Sequence, residues 1–410
     1  MEVIIATHIV KPSSPTPVTF KHHKLSSFDQ IAPPSYIPLI FFYEHDKSKH
    51  HEEISRSLKQ SLSETLTIFY PLAGTVKQNS FVDCNDRGAE FVEARVHAPL
   101  AQIIQNPKME ELKQLVPVDT SSSYNDIGFQ VLVKTSYFDC GGISVAVCLS
   151  HKLGDAASFV TFMNAWASTC RGESSRIINP SFDLALRFPP RDPSASGLNV
   201  GFTKEKIRTK RVVFDSKKIE KLRQEAAAAS ASVKDPTKVE AVTALIWRSF
   251  IEANKAAMPP ATGTSPFGAS HAVNMRPRTV PPIPDHTFGN CFAFAYAVVS
   301  PEDDDDDVCK LRAAIRAVDD DYINKVLNGD MLFAALDQVG EMFKPGNCIF
   351  TSWRRFPVYD VDFGWGKPVW VSTTPMPYAN LVVLMDTPSG DGIEAWVTIK
   401  PNEANFFQLQ

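Results

Sequence analysis

The sequence predicts a two-domain α/β protein, and three observations carry that prediction. The chain has 410 residues, more than one hydrophobic core usually supports. Both halves mix short β-branched runs with segments of helical period. Between the halves, from residue 177 to about 203, the pattern dissolves into Pro-, Ser- and Asn-containing sequence such as Phe188-Pro189-Pro190 and Pro193-Ser194-Ala195-Ser196-Gly197. The expected organisation is an N-terminal domain over 1–190, a crossover linker over 191–207 and a C-terminal domain over 208–410.

In the first half, residues 3–10 are apolar and β-branched enough for an opening strand, which the Pro-rich stretch 11–17 stops. Pro33, Pro34 and Pro38 break the chain before an apolar run at 40–43. Residues 51–69 read as a helix, with Ile54, Leu58, Leu62 and Leu66 on one face and Pro71 as its stop. His50-His51-Glu52-Glu53 reads as the solvated start of that helix, because adjacent helical residues face apart and do not converge on a metal. Residues 129–135 and 143–149 are β-rich runs joined by Asp139-Cys140-Gly141-Gly142, a plausible turn. Asp155 then opens a segment with Phe159, Phe162, Met163 and Trp166 at helical spacing, closed by Arg171-Gly172.

In the second half, residues 210–214 read as a strand and 216–230 as an alanine-rich helix. Thr237-x-x-Glu240 is a capping-box pattern opening a helix through Val242, Leu245, Ile246 and Phe250. Residues 261–266 read as loop, 292–299 as strand and the acidic run 302–307 as a solvated loop, since no Gly-spaced calcium loop surrounds it. Residues 310–326 are helical by period, and strands are expected at 369–372, 380–385 and 392–399.

Composition narrows the function classes. Apolar residues make up 44% and charged residues 21%, which is ordinary globular composition. A formal net charge of -4 gives no electrostatic case for nucleic acid. Seven widely spaced cysteines without a C-x-x-C pair indicate neither a zinc site nor a disulfide framework, and reduced thiols point to the cytosol. Cys148 lies in an apolar strand pattern and reads as core. The first residues lack the pattern of a signal peptide, and no apolar run is long enough for a membrane span.

The chemistry concentrates on Leu149-Ser150-His151-Lys152-Leu153-Gly154-Asp155, where a strand hands over to a helix. A His near its ordinary pKa takes a proton at neutral pH, which suits activation of a hydroxyl. Asp155 has two local readings, the N-cap of the following helix or an ion pair. A second constellation is Asp362-Phe363-Gly364-Trp365-Gly366, preceded by Phe350-Thr351-Ser352-Trp353. Glycines on both sides of a tryptophan suit either a backbone that approaches something closely or a tight turn around a buried Trp.

His151-x-x-x-Asp155 followed about two hundred residues later by Asp362-Phe363-Gly364-Trp365-Gly366 resembles the paired signature of the plant BAHD acyl-CoA-dependent acyltransferases. The resemblance extends through Leu25-Ser26-Ser27-Phe28-Asp29-Gln30, Phe69-Tyr70-Pro71-Leu72-Ala73-Gly74, Asn274-Met275-Arg276-Pro277-Arg278 and Phe288-Gly289-Asn290. Within the family the chain looks most like the alkaloid acetyltransferases, on stretches such as Val82-Asp83-Cys84-Asn85-Asp86, Asn164-Ala165-Trp166 and Leu384-Met385-Asp386-Thr387.

The resemblance implies a two-domain chloramphenicol acetyltransferase-like fold with mixed sheets and a channel between the domains. It implies a monomeric, cytoplasmic, metal-free enzyme with acyl-CoA, expected to be acetyl-CoA, as co-substrate and no bound cofactor. The acceptor would be a small-molecule alcohol, an alkaloid or terpenoid, with no nucleic-acid or membrane partner. His151 would be the general base in a direct ternary-complex mechanism, and the absence of a G-x-S-x-G elbow gives no argument for a covalent serine intermediate. Asp155 would pair with Arg276, and Asp362 with Arg278, as site-organising contacts beside Gly364, Trp365 and Gly366. Thr351 and the Trp353 indole would be oxyanion donors. The start of the helix at Thr237-Lys238, with Lys234 nearby, is the candidate for CoA phosphates. The same motifs admit an amine acceptor, a sugar or quinone-type alcohol, and a non-catalytic binding relative.

Overall fold

The computed structural model describes residues 2–44, 50–120, 122–191, 207–257, 266–300, 306–327, 342, 346–405, 407 and 408. The chain divides into two compact units. Unit 1 comprises Met1–Gly197, Asp285–Asn290 and Phe356–Met376, and unit 2 comprises Leu198–Pro284, Cys291–Arg355 and Pro377–Gln410. Two short segments from the second half of the chain thus complete unit 1, and the 362–366 loop, expected in the C-terminal domain, lies in one of them. Most of the expected linker, and most of the expected loop at 261–266, fall outside the described residues.

Unit 1 uses strands β1 (Glu2–Val10), β3 (Tyr36–Tyr43), β6 (Ala89–Val96), β7 (Val131–Phe138) and β8 (Ile143–Ser150). A ribbon of β2 (His22–Lys24), β4 (Thr75–Lys77) and β5 (Phe81–Asp83) lies apart from them. The main sheet runs β1-β6-β7-β8-β3 and ends on the late strand Trp370–Ser372. Only the β6–β7 pair is parallel in this sheet. Every residue of β3, β7 and β8 is buried, which is why these strands are apolar on both faces rather than alternating. Cys148 is among them, as its apolar context predicts.

Helices α1 (Ser27–Ile31), α2 (His51–Ile68) and α3 (Ala156–Cys170) build on this sheet. The apolar stripe of α2 buries Ile54, Leu58, Leu62 and Leu66 completely. Trp166 of α3 fixes the two helices together, its indole N–H donating to Leu58 O at 3.2 Å and Ser61 Oγ at 3.0 Å. The His51 ring stacks on Tyr137 at 4.4 Å, a packing role for the first turn of α2.

Pro38 does not break the chain; it sits inside β3, opposite Cys148 of β8. Its carbonyl accepts a bond from Thr373 Oγ1 at 3.0 Å, so its backbone faces away from β8 and its missing N–H costs the β3–β8 ladder nothing.

Unit 2 contains β9 (Arg208–Phe214), β10 (Phe267–Asn274), β11 (Phe292–Val299), β12 (Cys348–Ser352), β14 (Leu381–Asp386) and β15 (Ile393–Ile399), with β13 being the Trp370–Ser372 strand of unit 1. Its sheet order is β11-β10-β12-β14-β15-β9, with β10–β12 and β12–β14 parallel and the other pairs antiparallel. Helices α4 (Ser216–Ala229), α5 (Lys238–Ala257) and α6 (Asp307–Ala317) bury Ile219, Val242, Ile246, Trp247, Phe250 and Leu311 against the sheet.

The helix expected over 310–326 is two helices, α6 and α7 (Asp320–Leu327). Asp319 Oδ1 accepts the Tyr322 N–H at 2.9 Å, so an N-cap restarts the chain where continuous periodicity suggested none. Of the acidic run, Asp306 caps α6 through the Cys309 N–H at 3.0 Å, and buried Asp307 pairs with Arg248; residues 302–305 lie outside the described set.

Candidate active site

The His151 loop is held at both ends by backbone. The His151 N–H donates to Ser35 O at 2.9 Å, extending the β3–β8 ladder one step, and the Leu153 N–H donates to Ser150 O at 3.0 Å to turn the chain. A side chain at Gly154 would meet Ser158 Cβ at 2.9 Å and the Phe288 ring at 3.4 Å, so only glycine allows this approach. Asp155 is the N-cap of α3, accepting the Ser158 N–H at 2.9 Å. Of its two local readings, the cap is present, and this acid is buried.

The segment 285–290 docks beside this loop. Ser158 Oγ donates to Gly289 O at 2.9 Å and accepts from the Gly289 N–H at 3.0 Å, which delivers the next residue, Asn290, to His151. Asn290 Oδ1 lies 3.0 Å from His151 Nδ1. Its Nδ2 donates to Asp29 Oδ1 and to His151 O, both at 2.8 Å, and its backbone N–H also reaches Asp29 Oδ1 at 2.8 Å. Two acceptors fix the NH2 end of the amide, so the oxygen end faces the imidazole. Nδ1 must then be the donor, and Nε2 carries the lone pair of a basic imidazole.

Asp29 is itself locked in place. Its Oδ2 accepts from Ser26 N at 2.9 Å and Ser26 Oγ at 2.7 Å in a capping box at the start of α1. Burial pushes its carboxyl up from the ordinary value, against the lowering effect of the Ser26 and Asn290 donors. For His151, burial pushes the imidazole down, opposed by its backbone hydrogen bond, by Asp155 and by Asn290, and aided by the Lys152 charge. Lys152 is buried and lowered by desolvation to about 8, against the attraction of Asp29. A half-buried imidazole held below its ordinary value is neutral at pH 7, the form a general base requires.

The 362–366 loop is a tight turn bolted to the end of α3. Asp362 Oδ1 accepts the N–H groups of Gly364 at 2.7 Å and Gly366 at 3.0 Å, and both glycines have positive φ, +100° and +104°. The Arg171 guanidinium donates to the Asp362 carbonyl and pairs with Glu173 at 2.6 Å. Phe363 is the buried aromatic here, edge-on to Trp166 at 4.8 Å, while half-buried Trp365 stacks on Phe363 at 5.5 Å.

The whole chain has known relatives. Residues 2–410 match the model of the Transferase family. Stemmadenine O-acetyltransferase of Catharanthus roseus is 40% identical over 98% of this chain and 94% of its own. Vinorine synthase of Rauvolfia serpentina is 42% identical over 97% of this chain and 94% of its own. This chain belongs to the BAHD acyltransferase family. The crystal structure of vinorine synthase aligns with a TM-score of 0.86 at 39% identity, covering 100% of this chain and 97% of that one. A fold likeness at 15% identity, with a TM-score of 0.71 over 94% of this chain and 96% of the other, is the F. graminearum protein crystallised with coenzyme A and T-2 mycotoxin. The protein is thus an enzyme of the acyl-transferring BAHD type with the mixed α/β fold of that family.

Of the residues that the BAHD signature brings into question, His151, Asp155 and the 362–366 loop are in unit 1, and Arg276, Arg278, Thr351, Trp353, Thr237 and Lys238 are in unit 2. Asp362 and Arg278, which the family resemblance would pair, each have partners within their own unit. Arg278 Nη1 donates to Ile315 O at 2.6 Å and Val318 O at 2.7 Å, tying down the end of α6, while Asp362 serves its own loop. Each has enough local partners to satisfy its charge without the other. Arg276 is fully buried, with its Nη1 3.4 Å from Asn274 Oδ1. Thr351 is half-buried on β12, and buried Trp353 follows it, its N–H on Leu384 O at 2.8 Å.

At the start of α5, the Thr237 N–H donates to Glu240 Oε2 at 2.8 Å and Thr237 Oγ1 accepts the Glu240 N–H at 3.2 Å. The capping box forms as its spacing predicts and occupies both Thr237 groups. Lys238 reaches Asp391 O at 2.9 Å and Lys234 reaches Ser230 O at 2.9 Å.

Sequence reasoning about roles missed Asn290, Asp29 and Lys152. The Ser26-x-x-Asp29 spacing is a legible capping-box signal. Nothing in the sequence pattern alone sends residue 290 to residue 151, a contact between positions 139 residues apart.

Proposed function

We propose that this protein transfers an acetyl group from acetyl-CoA to a hydroxyl of a small specialised metabolite of the alkaloid or terpenoid class, with His151 as general base. The observation that carries the reading is the Asn290 Oδ1–His151 Nδ1 contact, which supports an imidazole with its lone pair on Nε2. The likeness to the Catharanthus roseus stemmadenine O-acetyltransferase supports the acyl group and the acceptor atom.

Nε2 takes the acceptor's proton as the hydroxyl oxygen attacks the thioester carbonyl. The tetrahedral intermediate carries the former carbonyl oxygen as an oxyanion. Its collapse breaks the carbon–sulfur bond, and the imidazolium returns the proton to the CoA thiolate, so acid and base balance over one turnover. Asp29 and Asn290 hold the tautomer through both steps. The Thr351 hydroxyl and the Trp353 indole N–H are the proposed oxyanion donors, each able to give one hydrogen bond. Asp155, with Arg276, Asp362, Gly364, Trp365 and Gly366, keeps backbone in place and transfers no proton. Lys238 is the proposed contact for a CoA phosphate.

The test crosses a panel of acyl-CoA donors with a plant metabolite extract and reads acyl transfer by mass. The expected result is a mass increment of one acetyl group on an alcohol, abolished in His151→Ala. Transfer confined to amines, or none with any donor, would refute the reading.

A further inference from the structure

Lys152 is the buried cation that the proposed chemistry leaves unused. It is 6% exposed, and its ammonium donates to Gln30 O at 2.6 Å and Asp29 O at 3.3 Å. These are carbonyls of the last turn of α1, which has five residues; Asp29 O also accepts the Ala32 N–H at 3.3 Å and Gln30 O also accepts Asn79 Nδ2 at 2.9 Å, so Lys152 is the charged donor they share. A lysine there bridges the two carbonyls and favours the negative end of the helix. The same turn presents the Asp29 carboxylate to Asn290. Gln30 clamps it from the other side, Nε2 reaching Asn79 O at 3.0 Å and Arg191 O at 2.9 Å.

From this geometry we infer that Lys152 is a positioning residue, holding the α1 backbone so that Asp29 and Asn290 keep His151 in its Nδ1–H tautomer. A buried ammonium costs desolvation, and an apolar side chain would fill the same space without that cost. What the apolar side chain would lack is the pair of directional bonds to α1. Asp29 is the titratable group that acts on the ammonium, the ammonium in turn acts on His151, and the lowered lysine pKa, about 8, records the cost of burying it there.

The inference rests on His151 being the base, and its test reads the imidazole directly. In full-length protein carrying 15N-labelled histidine, the His151 signal is assigned by its loss in His151→Ala. The wild type should show the single Nδ1–H tautomer at pH 7. Folded Lys152→Met should show a mixture of tautomers and a raised titration midpoint, because the cation that disfavours the imidazolium is gone. Lys152→Arg, which keeps charge and donors, should retain one tautomer. The wild-type signal should also take a step near pH 8 as Lys152 loses its proton.

Folded Lys152→Met with a wild-type tautomer and midpoint overturns the inference. If the Lys152 variants fail to fold, a wild-type signal showing both tautomers at pH 7 overturns it instead. Activity of His151→Ala reports separately on the base, since retained turnover there would sink the acetyl-transfer mechanism whatever the Lys152 result.

Discussion

His151 Nδ1 is held 3.0 Å from the side-chain oxygen of Asn290, a residue whose own orientation is set by the carboxylate of Asp29. The chain thereby builds a histidine, amide and carboxylate series in which the amide passes orientation to the ring and the carboxylate keeps its charge away from it. A carboxylate directly on Nδ1 would raise the imidazole pKa; an amide fixes the same tautomer with less charge stabilisation. The consequence is an imidazole that stays neutral at pH 7.

Removing the ring should remove the chemistry and little else. His151→Ala should lower kcat by about 10²–10⁴-fold, the usual contribution of a positioned general base, while circular dichroism and Tm stay near wild type. Near-wild-type kcat in the folded variant would refute the base assignment.

Asn290 should matter through kcat. Asn290→Ala frees the ring to adopt either tautomer and takes from Asp29 Oδ1 its side-chain amide donor, leaving the backbone N–H of residue 290 in place. A kcat loss of about 10–100-fold is expected, with KM for acetyl-CoA nearly unchanged and a stability cost of about 1–3 kcal/mol for the carboxylate left short of partners. A change in KM alone would place Asn290 in binding rather than in orientation.

The depressed pKa of His151 has a definite sign in both activity and stability. The reactive form is neutral, so kcat/KM should rise with pH along an acid limb whose midpoint lies below the ordinary histidine value of about 6.5. For stability, the unfolded chain takes up this proton first as pH falls. The contribution of His151 is therefore intact above the unfolded value and declines as pH drops from there toward the folded one. A midpoint above 7 in the kcat/KM profile would show that the site stabilises the imidazolium instead.

The same residues show what a sequence can and cannot carry. Periodicity located α2, α3 and β8 because their apolar faces repeat within one element, and the capping signals at Asp155 and Thr237 formed as spacing implied. Pro38 and the α6–α7 break were misjudged because each depends on which neighbour a backbone group faces, information that lies outside the local string. The local partners of Asp362 and Arg278 were likewise not legible, since they are backbone groups that only the fold supplies. His151 was legible as a strand-end histidine, and its orienting partners were not, since 285–290 reaches unit 1 from the far half of the chain.

Asp155 should act on stability before chemistry. Asp155→Ala deletes the α3 cap and should cost about 1 kcal/mol from that bond, read as a lower denaturation midpoint. Asn is as good a cap, so Asp155→Asn should recover most of that loss. Equal activity losses in both variants with unchanged stability would contradict a positional role.

The turn at 362–366 offers a test of which contacts hold it. Asp362→Ala leaves the Gly364 and Gly366 N–H groups to water at an exposed site, so a modest loss of about 1 kcal/mol is expected. Arg278→Ala releases the Ile315 and Val318 carbonyls in unit 2 and should destabilise by a similar amount. Because the two side chains keep separate partners, their effects should add, with a coupling below about 0.5 kcal/mol in a double-mutant cycle followed by denaturant unfolding. Arg171→Ala combined with Asp362→Ala should behave differently, since the Arg171 guanidinium grips the Asp362 carbonyl and the loop it closes. There the second substitution removes a contact the first has already loosened, and the losses should sum to less than their separate values. A large Asp362–Arg278 coupling with an additive Asp362–Arg171 pair would reverse the assignment and restore the pairing that the family resemblance implied.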